Sequence, residues 1–202
     1  MFKWGIPFFV NIIAGKGAVR QNEVKDVIPP QAPVISALPD ATNSSSLLVE
    51  GFTEADASLE LLVNDAISKT DKAGADGAFS ILTRIIVGSN RVYLRATDSA
   101  GNSSTSEVEI VVFDDKQIEL SLTSPKDGSE FFGKGNQVID IAGVVNKTDS
   151  QVIINNSFVV VDKEGKFNHR YQLADGSNDI KIIASDKAGN TAERTIKVLY
   201  TP

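Results

Sequence analysis

Short apolar runs that alternate with polar residues recur along the chain from residue 33 onward, and turn-forming residues separate them. The alternation is clearest at residues 91–96, where Val92, Leu94 and Ala96 occupy every second position. A period of two places these three side chains on one face of a strand, as a half-buried antiparallel sheet requires. No stretch repeats with the 3.6-residue period of a capped helix, so the sequence predicts no domain helix.

The strand-like segments follow one another at a spacing of roughly 8–12 residues, which is typical of a β-sandwich. In the first half of the chain they are residues 34–35, 47–49, 59–63, 66–68, 79–82, 92–97 and 108–113. In the second half they are residues 118–122, 138–141, 152–154, 158–161, 166–173, 180–183 and 196–200.

A run of fifteen residues occurs twice, at 88–102 and again at 176–190, with eight of its fifteen positions identical. Phe79 and Phe167 precede the two copies at the same offset. The repeat predicts an all-β protein made of two tandem Ig-like antiparallel β-sandwiches of about seven strands each. The domains are expected at residues 33–114 and 115–202, lying end to end with restricted motion because the polar break at 114–116 is short.

The N-terminal residues differ from the rest of the chain. Residues 1–15 hold the only Trp, the only Met and three of the ten Phe, and Lys3 is followed by an apolar stretch too short to span a membrane as a helix. This pattern predicts an export or membrane-anchoring segment. An interfacial anchor and an element packed on the first domain remain as alternatives. Residues 16–32 are polar and end in prolines, which predicts an extended linker.

Composition removes several classes of function. The chain has no Cys, one His, a net charge of −6 and a pI near 4.9, with acidic and basic residues interspersed. Disulfides, thiol chemistry and a Cys-based zinc site are therefore excluded. The sequence also lacks the stripe of basic residues that is typical of nucleic-acid-binding proteins. His169 is interpreted as a structural strand residue, and no catalytic residue or cofactor-binding residue is predicted.

The loop at the end of each fifteen-residue copy has the sequence Asp-x-Ala-Gly-Asn. These loops, called the repeated turns below, consist of residues 98–102 and 186–190. Asp98 and Asp186 are expected to accept main-chain hydrogen bonds, Gly101 and Gly189 to take positive φ, and Asn102 and Asn190 to fit the irregular junction. The alternative is a calcium site built on Asp98, Asn102, Asp186 and Asn190, although that ion needs six to eight oxygen ligands.

Other short motifs also recur in both halves of the chain, in the same order. They are Pro29-Pro30-x-x-Pro33 ahead of the first half, Gly51 and Gly143, Asn64 and Asn155, Gly77-x-Phe79 and Gly165-x-Phe167, Gly88-x-Asn90 and Gly176-x-Asn178, and the repeated turns. With them the sequence resembles tandem bacterial Ig-like domains of exported proteins, in particular those similar to the glucodextranase B-domain type. The resemblance covers about residues 33–201 and carries no catalytic residues.

The resemblance implies a non-catalytic spacer or adhesion-type module, outside the cytoplasm at the membrane or cell surface, that presents sandwich surfaces to a protein or glycan. The membrane is an expected partner through the N-terminal segment. One alternative is a carbohydrate-binding accessory module, whose candidate stacking residues are Tyr93, Phe131 and Phe132. The other alternative is an adhesin fragment stiffened by calcium.

Overall fold

The computed structural model describes residues 26–202, and the expected anchor at residues 1–15 lies outside that range. The first half of the described chain contains nine strands: β1 (Val34–Ile35), β2 (Ala41–Thr42), β3 (Ser46–Phe52), β4 (Ser58–Val63), β5 (Ala66–Lys72), β6 (Ala78–Arg84), β7 (Gly88–Thr97), β8 (Ser103–Thr105) and β9 (Glu109–Phe113). The second half contains β10 (Leu120–Ser124), β11 (Glu130–Phe132), β12 (Val138–Val145), β13 (Gln151–Ile154), β14 (Ser157–Val159), β15 (Lys166–Gln172), β16 (Gly176–Ser185) and β17 (Thr191–Thr201). A single 3₁₀ turn at Lys134–Asn136 is the only helical element of residues 26–202, in agreement with the all-β prediction.

Each half forms two sheets, and strands pair only within their own half. In the first domain the three-stranded sheet has the order β1-β3-β6, and the larger sheet has the order β2-β9-β7-β4-β5 with β8 added to β7. The second domain repeats this arrangement as β10-β12-β15 and β11-β17-β16-β13-β14. The long strand β17 takes the place of both β8 and β9, so the two domains share one topology.

Period-two alternation places the core of each domain between its two sheets. Val92, Leu94 and Ala96 of β7 are fully buried, and Ile180, Ile182 and Ala184 of β16 match them in the second domain. The buried apolar residues form two separate clusters, one for each domain. Each domain therefore has a hydrophobic core of its own, as a β domain of about a hundred residues allows.

The Gly-Ser-Asn motif closes the turn that leads into β7 in the first domain and into β16 in the second. The buried Asn178 donates from its amide nitrogen to the carbonyl oxygens of Ala174 and Gly176, and its Oδ1 accepts from the Ala174 N–H. Asn90 makes the equivalent hydrogen bonds to Ile86 and Gly88. A buried amide satisfied on both its oxygen and its nitrogen fixes the conformation of the turn.

Two other repeated motifs have a single cause. A Cβ atom at Gly143 would lie 2.4 Å from the ring of Phe167 and 2.6 Å from the carbonyl oxygen of Ser121. The same position in the first domain, Gly51, is covered by Phe79 and by the carbonyl of Val34. The glycine of β3 or β12 and the phenylalanine of Gly-x-Phe therefore form one packing unit, in which the ring fills the space that a side chain would need.

The structure adds three short strands that sequence periodicity does not predict, namely β2, β8 and β11. The strands β2 and β11 run parallel to the last strand of their own domains, and Phe131 and Phe132, which lie outside every strand predicted from the sequence, belong to β11. Two or three residues flanked by Ser, Asp or Gly are too few for alternation to be recognised. The partner strands of β2 and β11 lie about seventy residues later in the chain, and no local pattern reveals such a pairing.

We expect the substitution Gly143→Ala to lower the free energy of unfolding by about 1–3 kcal/mol, because the added methyl group overlaps backbone and a packed ring. The matched control is Gly135→Ala, where a Cβ meets no atom within 4 Å and φ is not positive. Urea unfolding of both variants measures the difference. Equal midpoints for Gly143→Ala and the wild type would contradict this explanation of the motif.

Candidate functional site

The two repeated turns share a set of internal hydrogen bonds. In each turn the first Asp accepts from the N–H of the last Asn at 2.8 Å through Oδ1 and from the Asn amide at 2.9 Å through Oδ2. The main chain closes through the Asp N–H, which donates to the Asn carbonyl. Gly101 and Gly189 have φ of +89° and +88°, values that glycine adopts without strain.

The amide of the last Asn also holds the segment through which the chain enters the domain. Asn190 donates to the carbonyl of Asp114 at 2.9 Å, and Asn102 donates to the carbonyls of Asp26 and Ile28. Asp26 and Asp114 each accept from the N–H two residues later, so the two entering segments, residues 26–28 and 114–116, have the same local conformation. Each repeated turn therefore works as a socket for the residues that precede its domain.

Sequence reasoning missed this role, since it assigned the two asparagines only to the turn junction. The sequence does contain one indication of this role, which is the equal spacing of the residues that interact. Asp26 and Asp114 are 88 residues apart, and so are Asn102 and Asn190. A further contact, from the Thr53 hydroxyl to the carbonyl of Gln31, ties down the end of the expected 16–32 linker.

A lysine completes the socket of the second domain. The Lys147 ammonium group donates to Asp186 Oδ2 at 2.6 Å, to Asp114 Oδ2 at 2.9 Å and to the carbonyl of Lys116. The side chain of Asp186 is only 4% exposed and that of Lys147 is 15% exposed. Asp114 follows the last strand of the first domain, whereas Lys147 and Asp186 belong to the second. We call Asp114, Lys147, Asp186 and Asn190 the joint.

The charges of the joint stabilise one another. Hydrogen bonding to Lys147 holds the pKa of Asp114 below its ordinary value. Burial alone would raise the pKa of Asp186, but hydrogen bonds from Lys147 and Asn190 outweigh it and lower that pKa. Burial likewise favours a neutral Lys147, and hydrogen bonds to both carboxylates reverse this and raise the pKa of the ammonium group. All three groups are therefore charged at neutral pH.

The first domain has the same socket without the lysine. In the loop after β12 the Ser150 N–H donates to the Lys147 carbonyl. In the matching loop of the first domain the Ala57 N–H donates to the Glu54 carbonyl, so Glu54 has the position of Lys147. An acidic residue therefore stands where the second domain has a lysine. Ala188 in the second turn is buried while Ala100 in the first is exposed, which agrees with close contact at the joint only.

The four residues considered for calcium are divided between the two repeated turns, one in each domain. The carboxylates of Asp98 and Asp186 accept hydrogen bonds from N–H donors of their own turns, and the Asn amides point their nitrogens toward carbonyls. The hydrogen bond from Asn102 lowers the pKa of the Asp98 carboxyl. Within residues 26–202 no group of three or more His, Asp or Glu side chains has an arrangement suited to a metal ion.

The three aromatic candidates for carbohydrate stacking are not brought together. Tyr93 lies on the outward side of β7, half-buried, and its hydroxyl donates to Asp65. Burial and this hydrogen bond raise its pKa. Phe131 packs against the core of the second domain, and Phe132 beside it is 58% exposed. These residues therefore form no common platform.

None of the helical structure within residues 26–202 has the length and hydrophobicity needed to cross a membrane.

Comparison with known proteins identifies the domain type. The family model described as glucodextranase, domain B, matches twice, at residues 34–113 and 118–201. Bacillopeptidase F of Bacillus subtilis (strain 168) is 29% identical over 157 residues, which are 77% of this chain and 11% of that protein. The chain thus spans only about a tenth of the length of this relative. The fibronectin(III)-like modules of CbhA from Clostridium thermocellum superpose with a TM-score of 0.58 and 17% identity, covering 84% of this chain and 94% of theirs, which shows the shared fold.

We expect Asp186→Asn to lower the free energy of unfolding of the second domain by about 2 kcal/mol at pH 7, because a buried charge-assisted hydrogen bond is lost. The pKa of Asp186 is lowered in the folded state, so its contribution is present above the ordinary carboxyl pKa of 3.8 and is lost as the pH falls below it. The raised pKa of Lys147 predicts that stability is also lost at high pH, as the pH rises past 10.5, the ordinary pKa of a lysine, and the ammonium group loses its proton.

Urea unfolding of the wild type and Asp186→Asn between pH 2.5 and 11 tests this, with Asp175→Asn as a control at an exposed position outside the joint. A difference between wild type and Asp186→Asn that did not shrink in acid would contradict the assignment.

Proposed function

The chain belongs to the glucodextranase domain B family, and from this premise we propose that it is a non-catalytic extracytoplasmic spacer. In this role its two β-sandwiches project from the cell envelope and present their surfaces to a partner. A spacer needs a defined relation between successive domains, since a loose linker would let them fold back on each other. The joint is the observation that carries the proposal.

Three contacts of the joint fix the short polar break to the second domain, and the Asp114 N–H donates to the Thr42 carbonyl of the first domain. Lys147 links Asp114 to Asp186, the amide of Asn190 holds the Asp114 carbonyl, and Lys147 also reaches the carbonyl of Lys116. Hydrogen bonds to main-chain carbonyls restrain the path of the chain itself, not only its side chains. Ion pairs that are mostly shielded from water are also less sensitive to salt than exposed pairs.

The absence of a recognisable reactive constellation in the described residues also favours a spacer. His169 lies in β15 opposite Ile141, on the inward side of the strand, so it faces the core and not a cleft. The exposed Glu107 and the half-buried Glu109 are two positions apart along the chain and do not face one another across a cleft. A glycosidase needs the second arrangement.

The membrane part of the proposal rests on residues 1–15, with Lys3 ahead of an apolar stretch. Fractionation of cells that express the full chain or a chain starting at Lys16 tests it. We expect the full chain in the membrane or outside the cytoplasm, and the shortened chain in the cytoplasm. Equal distribution of both forms in the cytoplasmic fraction would refute the anchor.

We expect Lys147→Met to loosen the joint while leaving both sandwiches folded. The substitution removes three hydrogen bonds but retains an unbranched side chain of similar length. Small-angle scattering should show a broader distribution of maximum dimensions, and NMR relaxation should show more independent tumbling of the two domains. Lys187→Met is the matched control, because Lys187 lies in the second repeated turn beside Asp186 but is 75% exposed, and its ammonium group is as far as 4.0 Å from the Asp149 carboxylate. Identical scattering of wild type and Lys147→Met would argue against a stiff spacer.

A further inference from the structure

The outward face of the three-stranded sheet in the first domain carries an unusual amount of apolar surface. We call this surface the outer face; it consists of the exposed side chains of β1, β3 and β6 and the adjoining Ile86. Its large apolar members are between 49% and 64% exposed: Val34, Leu48, Phe52, Leu82 and Ile86. Exposed apolar side chains scattered singly are normal, but contiguous groups of them mark interaction surfaces.

Strand register groups four of these residues into two apolar rows. Leu48 is paired with Leu82 across the β3–β6 ladder. Phe52 is paired with Val34 on one side and Ala78 on the other. Side chains opposite one another in neighbouring strands are about 5 Å apart, so each set forms a continuous apolar row.

The second domain shows that the fold does not require this surface. The positions of Leu48 and Leu82 are occupied there by Asp140 and Arg170, which are paired in the same register. Val34 corresponds to Ser121, and Ala78 corresponds to Lys166. Val138 and Val144 remain as apolar residues of that face in the second domain, but both are less exposed than Phe52. The fold thus accepts a charged pair at the position where the first domain has its exposed leucine pair, so folding does not require those leucines.

The rows of the outer face are arranged symmetrically about the Leu48–Leu82 pair. On one side lies the row of Glu50 and Ser80, followed by the row of Phe52. On the other side lies the row of Ser46 and Arg84, followed by Ile86, which alternation places on the same face. The order is therefore apolar, acidic, apolar, basic, apolar.

This order is complementary to itself under a two-fold rotation. If the axis lies between the two faces and runs parallel to the line from Leu48 to Leu82, the leucines of one copy contact those of the other. The Glu50 row then faces the Arg84 row in both directions, and Phe52 faces Ile86. Neither Glu50 nor Arg84 forms an ion pair with another described residue, so both charges are available. Symmetric dimers require this kind of self-complementary patch.

We propose that the outer face of the first domain binds the outer face of a second copy of this chain, forming a two-fold dimer by sheet-on-sheet packing. The leucine pair is its centre, and two symmetric Glu50–Arg84 pairs set its register. With a rise of ~3.4 Å per residue and ~4.8 Å between strands, the face measures roughly 24 Å by 14 Å. That is smaller than a standard interface of about 800 Å² per partner, so we expect a weak dimer.

Sedimentation velocity of the full chain between about 1 and 200 μM tests the proposal. Leu82→Arg introduces the residue that the second domain has at this position, and we expect it to raise the dimer dissociation constant more than tenfold. Phe158→Arg is the control, since Phe158 is 76% exposed in the second domain and far from the outer face in sequence and sheet. This control should dimerise like the wild type.

A charge exchange makes the test independent of the leucine. Glu50→Arg and Arg84→Glu should each weaken the dimer, because like charges then face each other, and the double variant Glu50→Arg/Arg84→Glu should restore it. Circular dichroism confirms that each variant is folded. The proposal is overturned if the wild type stays monomeric to 200 μM or if Leu82→Arg dimerises normally. It is also overturned if Phe158→Arg loses the dimer or if the double variant does not recover it.

Discussion

The carbonyl oxygen of Asp114 accepts a hydrogen bond from the Asn190 side chain, and the relation between the two domains depends on this contact. Together with the hydrogen bonds from Lys147 to the Asp114 carboxylate and to the Lys116 carbonyl, it restrains the short polar break. The contact requires the repeated turn to be rigid, and the turn is rigid because Asp186 and Gly189 fix its shape. Turn geometry and domain organisation are thus the same property of the molecule.

The sequence predicts the sandwich well because sheet burial follows local alternation. Val92, Leu94 and Ala96 could be assigned to the core from their spacing alone, and the structure confirms this. The socket role of Asn102 and Asn190 could not be derived in the same way, because their partners lie 74 to 76 residues earlier in the chain. Main-chain carbonyls carry no residue identity, so no motif marks them as acceptors.

The two domains show which features the fold constrains and which it leaves free. Residues that fix turns or fill the space between sheets are identical or similar, such as Asn90 and Asn178 or Phe79 and Phe167. Residues that face outward have diverged, as Leu48 and Leu82 have from Asp140 and Arg170. At the joint, a lysine in one copy corresponds to Glu54 in the other. The properties that distinguish the two domains are therefore concentrated on their surfaces and at their ends.

Because the repeated turn binds the segment ahead of the first strand, each module begins before its first strand. The strands of the first domain start at Val34, but the chain is already bound to its own domain at Asp26. Residues 26–113 span 88 positions, the same as the offset between the fifteen-residue copies. The unit of duplication is thus a sandwich together with its own leading segment and the turn that receives it. A gene rearrangement that copies this unit carries the connector along with the domain, so a longer array would need no newly evolved linker.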